Sequence, residues 1–148
     1  RRLDMSNILP ILLAEDSKHD VMTVKRAWKL HNIPNDLIVV NDGEECLDYL
    51  HQRGAYAPPV EAPYPCVLLL DINMPKVDGL TVLREIRQDP VLKCLPVVVL
   101  TTSKRDEDLM ESYNLNVNAY VTKPLHFEDF SAAINTIYEF WQIAEQPR

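Results

Sequence analysis

Five short apolar runs, each leading into a stretch with helical periodicity, constrain this chain more than any other feature. The runs are Ile8–Ala14, Leu37–Val40 within Asp36–Asn41, Cys66–Leu70, Val97–Leu100 and Ala119–Val121. Most are continuously apolar rather than alternating, as expected of strands buried on both faces of a parallel sheet. Strands alternating with helices then predict an α/β chain, a doubly wound five-stranded parallel sheet of (βα)5 form. Ser17 is the candidate N-cap of a first helix in which Val21, Val24, Ala27 and Trp28 recur until Asn32 and Pro34 stop it. Asp42-Gly43 turns into a second helix marked by Cys46, Leu47 and Leu50, closing near Gly54. A third, after Asp78-Gly79, carries Leu80, Leu83 and Ile86. The fourth is placed at Asp106–Tyr113, with Leu109, Met110 and Tyr113 at helical spacing, and the last at Phe127–Ala144. Residues 54–65 include Pro58, Pro59, Pro63 and Pro65 and are read as a loop, a tolerated insertion.

Length and charge narrow the function classes. A chain of 148 residues fits one domain, here with a core of about 8–144 and no space for an output domain. The net charge of -7, without a basic cluster, counts against nucleic acid as a partner. Apolar runs of about five residues are far short of the ~20 a membrane helix needs. Cys46, Cys66 and Cys94 form no CxxC pair, so reduced thiols in a cytoplasmic protein are expected.

In open parallel α/β sheets, ligands bind beyond the carboxyl ends of the strands. Those ends here carry Glu15-Asp16, Asp71, Thr101 and, after the fifth strand, Lys123. Each alone has an ordinary explanation: an Asp caps or turns, a Thr bonds backbone, a Lys is solvated. Together they are harder to dismiss. Converging carboxylates raise one another's pKa unless a cation joins them, and hard oxygen donors with space for water suit Mg²⁺. With a lysine and a hydroxyl beside them, such groups can receive and neutralise a phosphoryl group, and a carboxylate nucleophile would form an acyl phosphate.

The ordered set Glu15-Asp16, Asp71-Ile72-Asn73-Met74-Pro75, Asp78-Gly79, Thr101, Tyr120 and Lys123-Pro124 resembles the response-regulator receiver domains of two-component signalling. That resemblance implies the flavodoxin-like strand order 2-1-3-4-5, with Asp71 accepting a phosphoryl group from a histidine kinase. It implies Mg²⁺ held by Asp16 and Asp71, with Glu15 acting largely through water and Asn73 through its backbone carbonyl. It further implies that Lys123 pairs with Asp71, and that Thr101 and Tyr120 switch. Asn73 and Thr102 would tune the phosphorylated lifetime, and Lys123-Pro124 would be a cis peptide. The Pro-rich insertion, Leu100-Thr101-Thr102-Ser103-Lys104, Ser112-Tyr113 and Phe140-Trp141 are also similar to stand-alone regulators paired with cyanobacterial phytochromes, which implies a light-regulated kinase as partner.

A regulator of this kind signals by contact. On the last helix, Phe130, Ala133, Ile134, Ile137 and Trp141 form one stripe, and Tyr138, Phe140 and Ile143 spread beyond it, so a homodimer through that helix is expected. Three other functions compete. A flavin module would need a Ser/Thr/Gly-rich phosphate loop where Glu15-Asp16 stands. An aspartate-nucleophile phosphatase would need a second Asp where Asn73 stands. A degenerate receiver, binding without phosphorylation, would not need the intact acceptor set.

Overall fold

The computed structural model describes residues 8–123 and 126–144, with side chains described as far as Thr136. Pro124, and hence the expected cis Lys123-Pro124 bond, falls outside them, as do the side chains of Tyr138, Phe140 and Ile143.

Five parallel strands, β1 (Ile11–Ala14), β2 (Leu37–Val40), β3 (Val67–Asp71), β4 (Val97–Thr101) and β5 (Ala119–Thr122), lie in the order β2-β1-β3-β4-β5. The helices are α1 (Lys18–Leu30), α2 (Gly43–His51), α3 (Gly79–Gln88), α4 (Lys104–Ser112) and α5 (Phe127–Ala144). This is the expected flavodoxin-like doubly wound sheet. The first strand begins later than Ile8 because Pro10 has no N–H to give; its carbonyl instead accepts from Cys66 N–H at 2.9 Å.

Each of the first four helices starts on a residue whose side chain accepts a backbone N–H: Ser17, Asp42, Asp78 and Ser103. These caps satisfy donors that an α-helix leaves open at its first turn. The fourth helix starts earlier than its apolar spacing suggested, because Ser103 caps it. Of Leu109, Met110 and Tyr113, Met110 alone is buried. In α3 the buried set is Val82, Leu83 and Ile86, with Leu80 half-buried.

Strand pleating divides the sheet into two faces. Leu12, Ala14, Leu68, Leu70, Val97 and Val99 pack with the buried residues of α2, α3 and α4. Ile11, Leu13, Val67, Leu69, Val98 and Leu100 pack with Val24, Ala27 and Trp28 of α1 and with Phe130 and Ile134 of α5. On that second face, His31 Nε2 lies 2.6 Å from Ser131 Oγ, and the Arg26 guanidinium stacks 3.8 Å over the Phe127 ring.

The insertion folds back along α2. A 3-10 turn spans Gly54–Tyr56, Gln52 Nε2 donates to the Ala62 carbonyl, and the Tyr49 hydroxyl donates to the Pro63 carbonyl at 2.7 Å. Tyr56 OH donates to Glu45 Oε2 at 2.6 Å, and its ring meets that of Tyr49 edge-on. No described helix is long and apolar enough to cross a membrane.

Candidate functional site

Alternation along the strands decides which chemistry shares a face. Residues 67, 69 and 71 of β3 point the same way, as do 11 and 13 of β1, continued by Glu15, and 119 and 121 of β5, continued by Lys123. Glu15, Asp71 and Lys123 therefore meet on the α1/α5 face at the carboxyl ends of three strands. Thr101 has the opposite parity, that of Val97 and Val99, and Tyr120 pairs with Val99 in register on the same side.

The Lys123 ammonium joins the cluster. Its Nζ lies 2.9 Å from Glu15 Oε1, 2.9 Å from Asp20 Oδ2 and 3.4 Å from Asp71 Oδ2. Glu15 is 0% exposed, Asp71 2% and Asp20 7%. Buried charges of this kind persist only when paired and hydrogen-bonded. The backbone adds to the pairing: Ser17 N–H donates to Glu15 Oε2 at 3.0 Å, and Asn73 N–H donates to Asp71 Oδ1 at 3.1 Å. Lys123 is itself tied to β4 by its N–H to the Thr101 carbonyl at 2.8 Å.

The electrostatics follow from crowding. Burial pushes the Glu15 carboxyl up to about 7, against the lowering pull of the Ser17 N–H and Lys123; Asp71 adds to the rise. For Lys123, burial favours losing the proton, but hydrogen bonds to Asp20 and Glu15 and the charges of Glu15 and Asp71 outweigh it and hold the pKa above the ordinary lysine value. The lysine remains a fixed cation.

One oxygen each from Glu15, Asp16 and Asp71 lie within 4.8 Å of one another. A small hard cation with ligand bonds of about 2.0–2.6 Å can bridge oxygens at that separation. Asp16 is exposed, so the third donor stands at the solvent edge, where waters can complete a coordination shell. The donor set therefore fits a divalent ion of the oxygen-seeking class.

Glycine lets the loop after β3 close. A Cβ on Gly79 would stand 2.6 Å from the Asp71 carbonyl oxygen and 2.6 Å from Ile72 Cα, both backbone. Gly79 N–H donates to the Ile72 carbonyl at 2.9 Å, drawing the start of α3 under the end of β3. On the other side, the Gly43 backbone at the start of α2 sits against the Val77 carbonyl, where a Cβ has no space.

The remaining expected residues are less tightly drawn in. The Thr101 hydroxyl is buried and exchanges hydrogen bonds with Ser103, its carbonyl and N–H both at 3.2 Å. Tyr120 is half-buried against the α4 side, its hydroxyl 3.5 Å from the Glu107 carbonyl. Asn73 and Thr102 are exposed at the rim. Sequence reasoning missed Asp20. It stands in the first turn of α1, where an acid is accounted for by the helix dipole, and that local explanation hid it. Its position within the turn that follows Glu15-Asp16, entered through the Ser17 cap, was the available signal.

Comparison with known proteins places these observations. The family profile described as the response regulator receiver domain matches residues 11–135. Response regulator Rcp1 of Synechocystis sp. is 44% identical over 131 residues, covering 88% of this chain and 87% of that protein. The crystal structure of the phosphorylated cyanobacterial phytochrome response regulator RcpA superimposes with a TM-score of 0.81 at 40% identity, over 94% of this chain and 97% of that one. The Mn²⁺-bound form of Rcp1 gives 0.77 at 44% identity, over 90% and 94% of the two chains.

Proposed function

The chain belongs to the response-regulator receiver family of two-component signalling, and on that premise we propose that it is a phosphoacceptor whose Asp71 takes a phosphoryl group from a histidine kinase. One observation carries the reading. Asp71 is buried at the end of the central strand β3, with a fixed cation at 3.4 Å and two further carboxylates in reach of a shared divalent ion.

In the proposed step, an Asp71 carboxylate oxygen attacks the phosphorus of a kinase phosphohistidine. The O–P bond forms as the P–N bond breaks, and the imidazole leaves with the electron pair. Lys123 faces the oxygens on which charge develops, at a cost already met by folding. Asp16 and Asp71 would hold Mg²⁺, with Glu15 through water and the Asn73 carbonyl as a further donor. That ion would offset negative charge on the incoming phosphoryl oxygens. Thr101 and Tyr120 would respond on the α4 side, by exchange of the Thr101 hydroxyl from Ser103 to the phosphoryl group. Asn73 and Thr102, at the solvent rim, would govern how readily water reaches the acyl phosphate.

The likeness to RcpA, described as a cyanobacterial phytochrome response regulator, supports a light-regulated kinase in the cytoplasm as the donor. The acidic charge supports output through protein contact rather than DNA. A homodimer through α5, using Tyr138, Phe140 and Ile143, is the form of contact favoured by the sequence. Light scattering on the wild type and on Phe140→Asp tests it: both found monomeric at high concentration would remove the dimer.

The direct test of the acceptor is intact-mass measurement after incubation with acetyl phosphate and Mg²⁺. One added phosphoryl group is expected, lost in Asp71→Asn and lost without the metal. No adduct from either acetyl phosphate or a cognate kinase would overturn the reading.

A further inference from the structure

Lys123 is asked to serve Asp71, yet its two shortest contacts go elsewhere. The ammonium lies 2.9 Å from Asp20 Oδ2 and 2.9 Å from Glu15 Oε1, while Asp71 Oδ2 is at 3.4 Å. A charge-assisted N–H···O bond closes to about 2.7–2.9 Å when it is formed in full. The contact to Asp71 is therefore the loose member of the three.

Asp20 is not one of the strand-end groups. It comes from α1, its backbone N–H held by Ser17 Oγ at 3.2 Å, so its carboxylate is carried by the helix rather than by a strand end. It is 7% exposed, and His19 Nδ1 lies 3.6 Å from its other oxygen. A nearly buried carboxylate at this place has a desolvation cost that Lys123 offsets. The pairing in turn pulls Lys123 toward α1.

Resting on the phosphoacceptor reading of Asp71, we infer that Asp20 is a positioning residue for that site: it draws the Lys123 ammonium toward α1 and keeps it from closing onto Asp71. The consequence is chemical. Asp71 Oδ1 already accepts the Asn73 N–H at 3.1 Å. If Lys123 closed fully on Oδ2, its charge would draw electron density from the attacking carboxylate and weaken it as a nucleophile. With Asp20 in place, the ammonium is shared among three carboxylates and its pull on Asp71 is smaller. Lys123 stays within reach of the phosphoryl oxygens that arrive later.

The experiment measures phosphorylation rate against acetyl phosphate concentration, with Mg²⁺ saturating, for wild type, Asp20→Asn, Asp20→Ser and Asp20→Glu. Each protein is assayed below its own melting transition, followed by circular dichroism. Asp20→Asn and Asp20→Ser are expected to lower the maximal rate about tenfold, the effect of a barrier change of about 1.4 kcal/mol. The acetyl phosphate concentration for half-maximal rate should stay unchanged. Asp20→Glu, which keeps the charge on a longer stem, should recover most of the rate. A purely structural role would instead make the three variants follow their melting temperatures. If Asp20→Asn does not fold, Asp20→Ser decides the matter alone. Wild-type rates in folded Asn or Ser variants overturn the inference and leave the acceptor reading intact. A wild type that takes no label overturns both.

Discussion

Arg87, at the end of α3, offers the sharpest quantitative test of how the fold carries the site. Its guanidinium donates to four backbone carbonyls: Leu115 at 2.6 Å, Leu95 at 2.7 Å, Asn116 at 2.8 Å and Lys93 at 3.0 Å. The acceptors belong to the segments that lead into β4 and β5, the strands that end in Thr101 and precede Lys123. Burial pulls the guanidinium pKa below its usual value, but an arginine remains protonated there. In Arg87→Met the stem is kept and the fork is lost. The Leu115 and Leu95 carbonyls are partly buried and would be left without a donor, at about 1–3 kcal/mol each. The Asn116 and Lys93 carbonyls face solvent, and water replaces the lost donor at a cost of a few tenths of a kcal/mol each. The expected loss is about 2–7 kcal/mol, a large share of the 5–15 kcal/mol that holds a domain together. Urea denaturation followed by tryptophan fluorescence measures it, with the slope unchanged if unfolding remains two-state. Arg87→Lys should recover less than half, because one ammonium cannot satisfy carbonyls spread over a fork. A loss below 1 kcal/mol, or full recovery by lysine, would refute the reasoning.

Three further outcomes are expected. Gly79→Ala forces a methyl against the Asp71 and Ile72 backbone; a loss of about 1–3 kcal/mol in denaturation, with a greater fall in acetyl phosphate labelling than the stability loss explains, is expected. In the metal-free protein, Glu15 keeps its proton to about pH 7 when folded, whereas the unfolded chain releases it near the ordinary value of 4.5. Stability therefore falls as pH rises from about 4.5 to 7. Mg²⁺ competes with that proton, so its effect on melting temperature should be larger at pH 8 than at pH 5.5; an equal effect at both would count against a shared site. Tyr49→Phe removes the bond to the Pro63 carbonyl, and should cost about 1 kcal/mol and speed protease cleavage within residues 57–65, as peptide mapping would reveal.

Much of this architecture was readable because burial on both sheet faces leaves little freedom in residue choice. Val67–Asp71 and Val97–Thr101 are fully buried, and their sequences are nearly pure Val and Leu until the last residue. The change from Leu70 to Asp71, and from Leu100 to Thr101, marks where the strand leaves the core and chemistry becomes possible. The fourth helix was harder to read, because it gives the core little: Leu109 is 42% and Tyr113 48% exposed, the latter under the Arg84 guanidinium at 4.9 Å. Asp20 escaped because a helix N-terminus explains an acid without help from Lys123, more than a hundred residues away in sequence. Arg87 escaped for a different reason. Its partners are main-chain carbonyls, which every residue has, so no pattern of side chains announces them.

The division of the sheet by strand parity has a consequence for how change travels. Asp71 and Lys123 lie on one side of a close-packed wall, while Thr101 and Tyr120 lie on the other. The wall is two methyl-rich layers that cannot bend without losing contacts. On the proposed function, a change at Asp71 would reach the α4 side over the rim of the sheet, at Thr101, the last residue of β4. Message and scaffold thus occupy separate parts of the molecule. The interior can be repacked for greater stability while the rim, a few residues deep, keeps the exchange between the two sides.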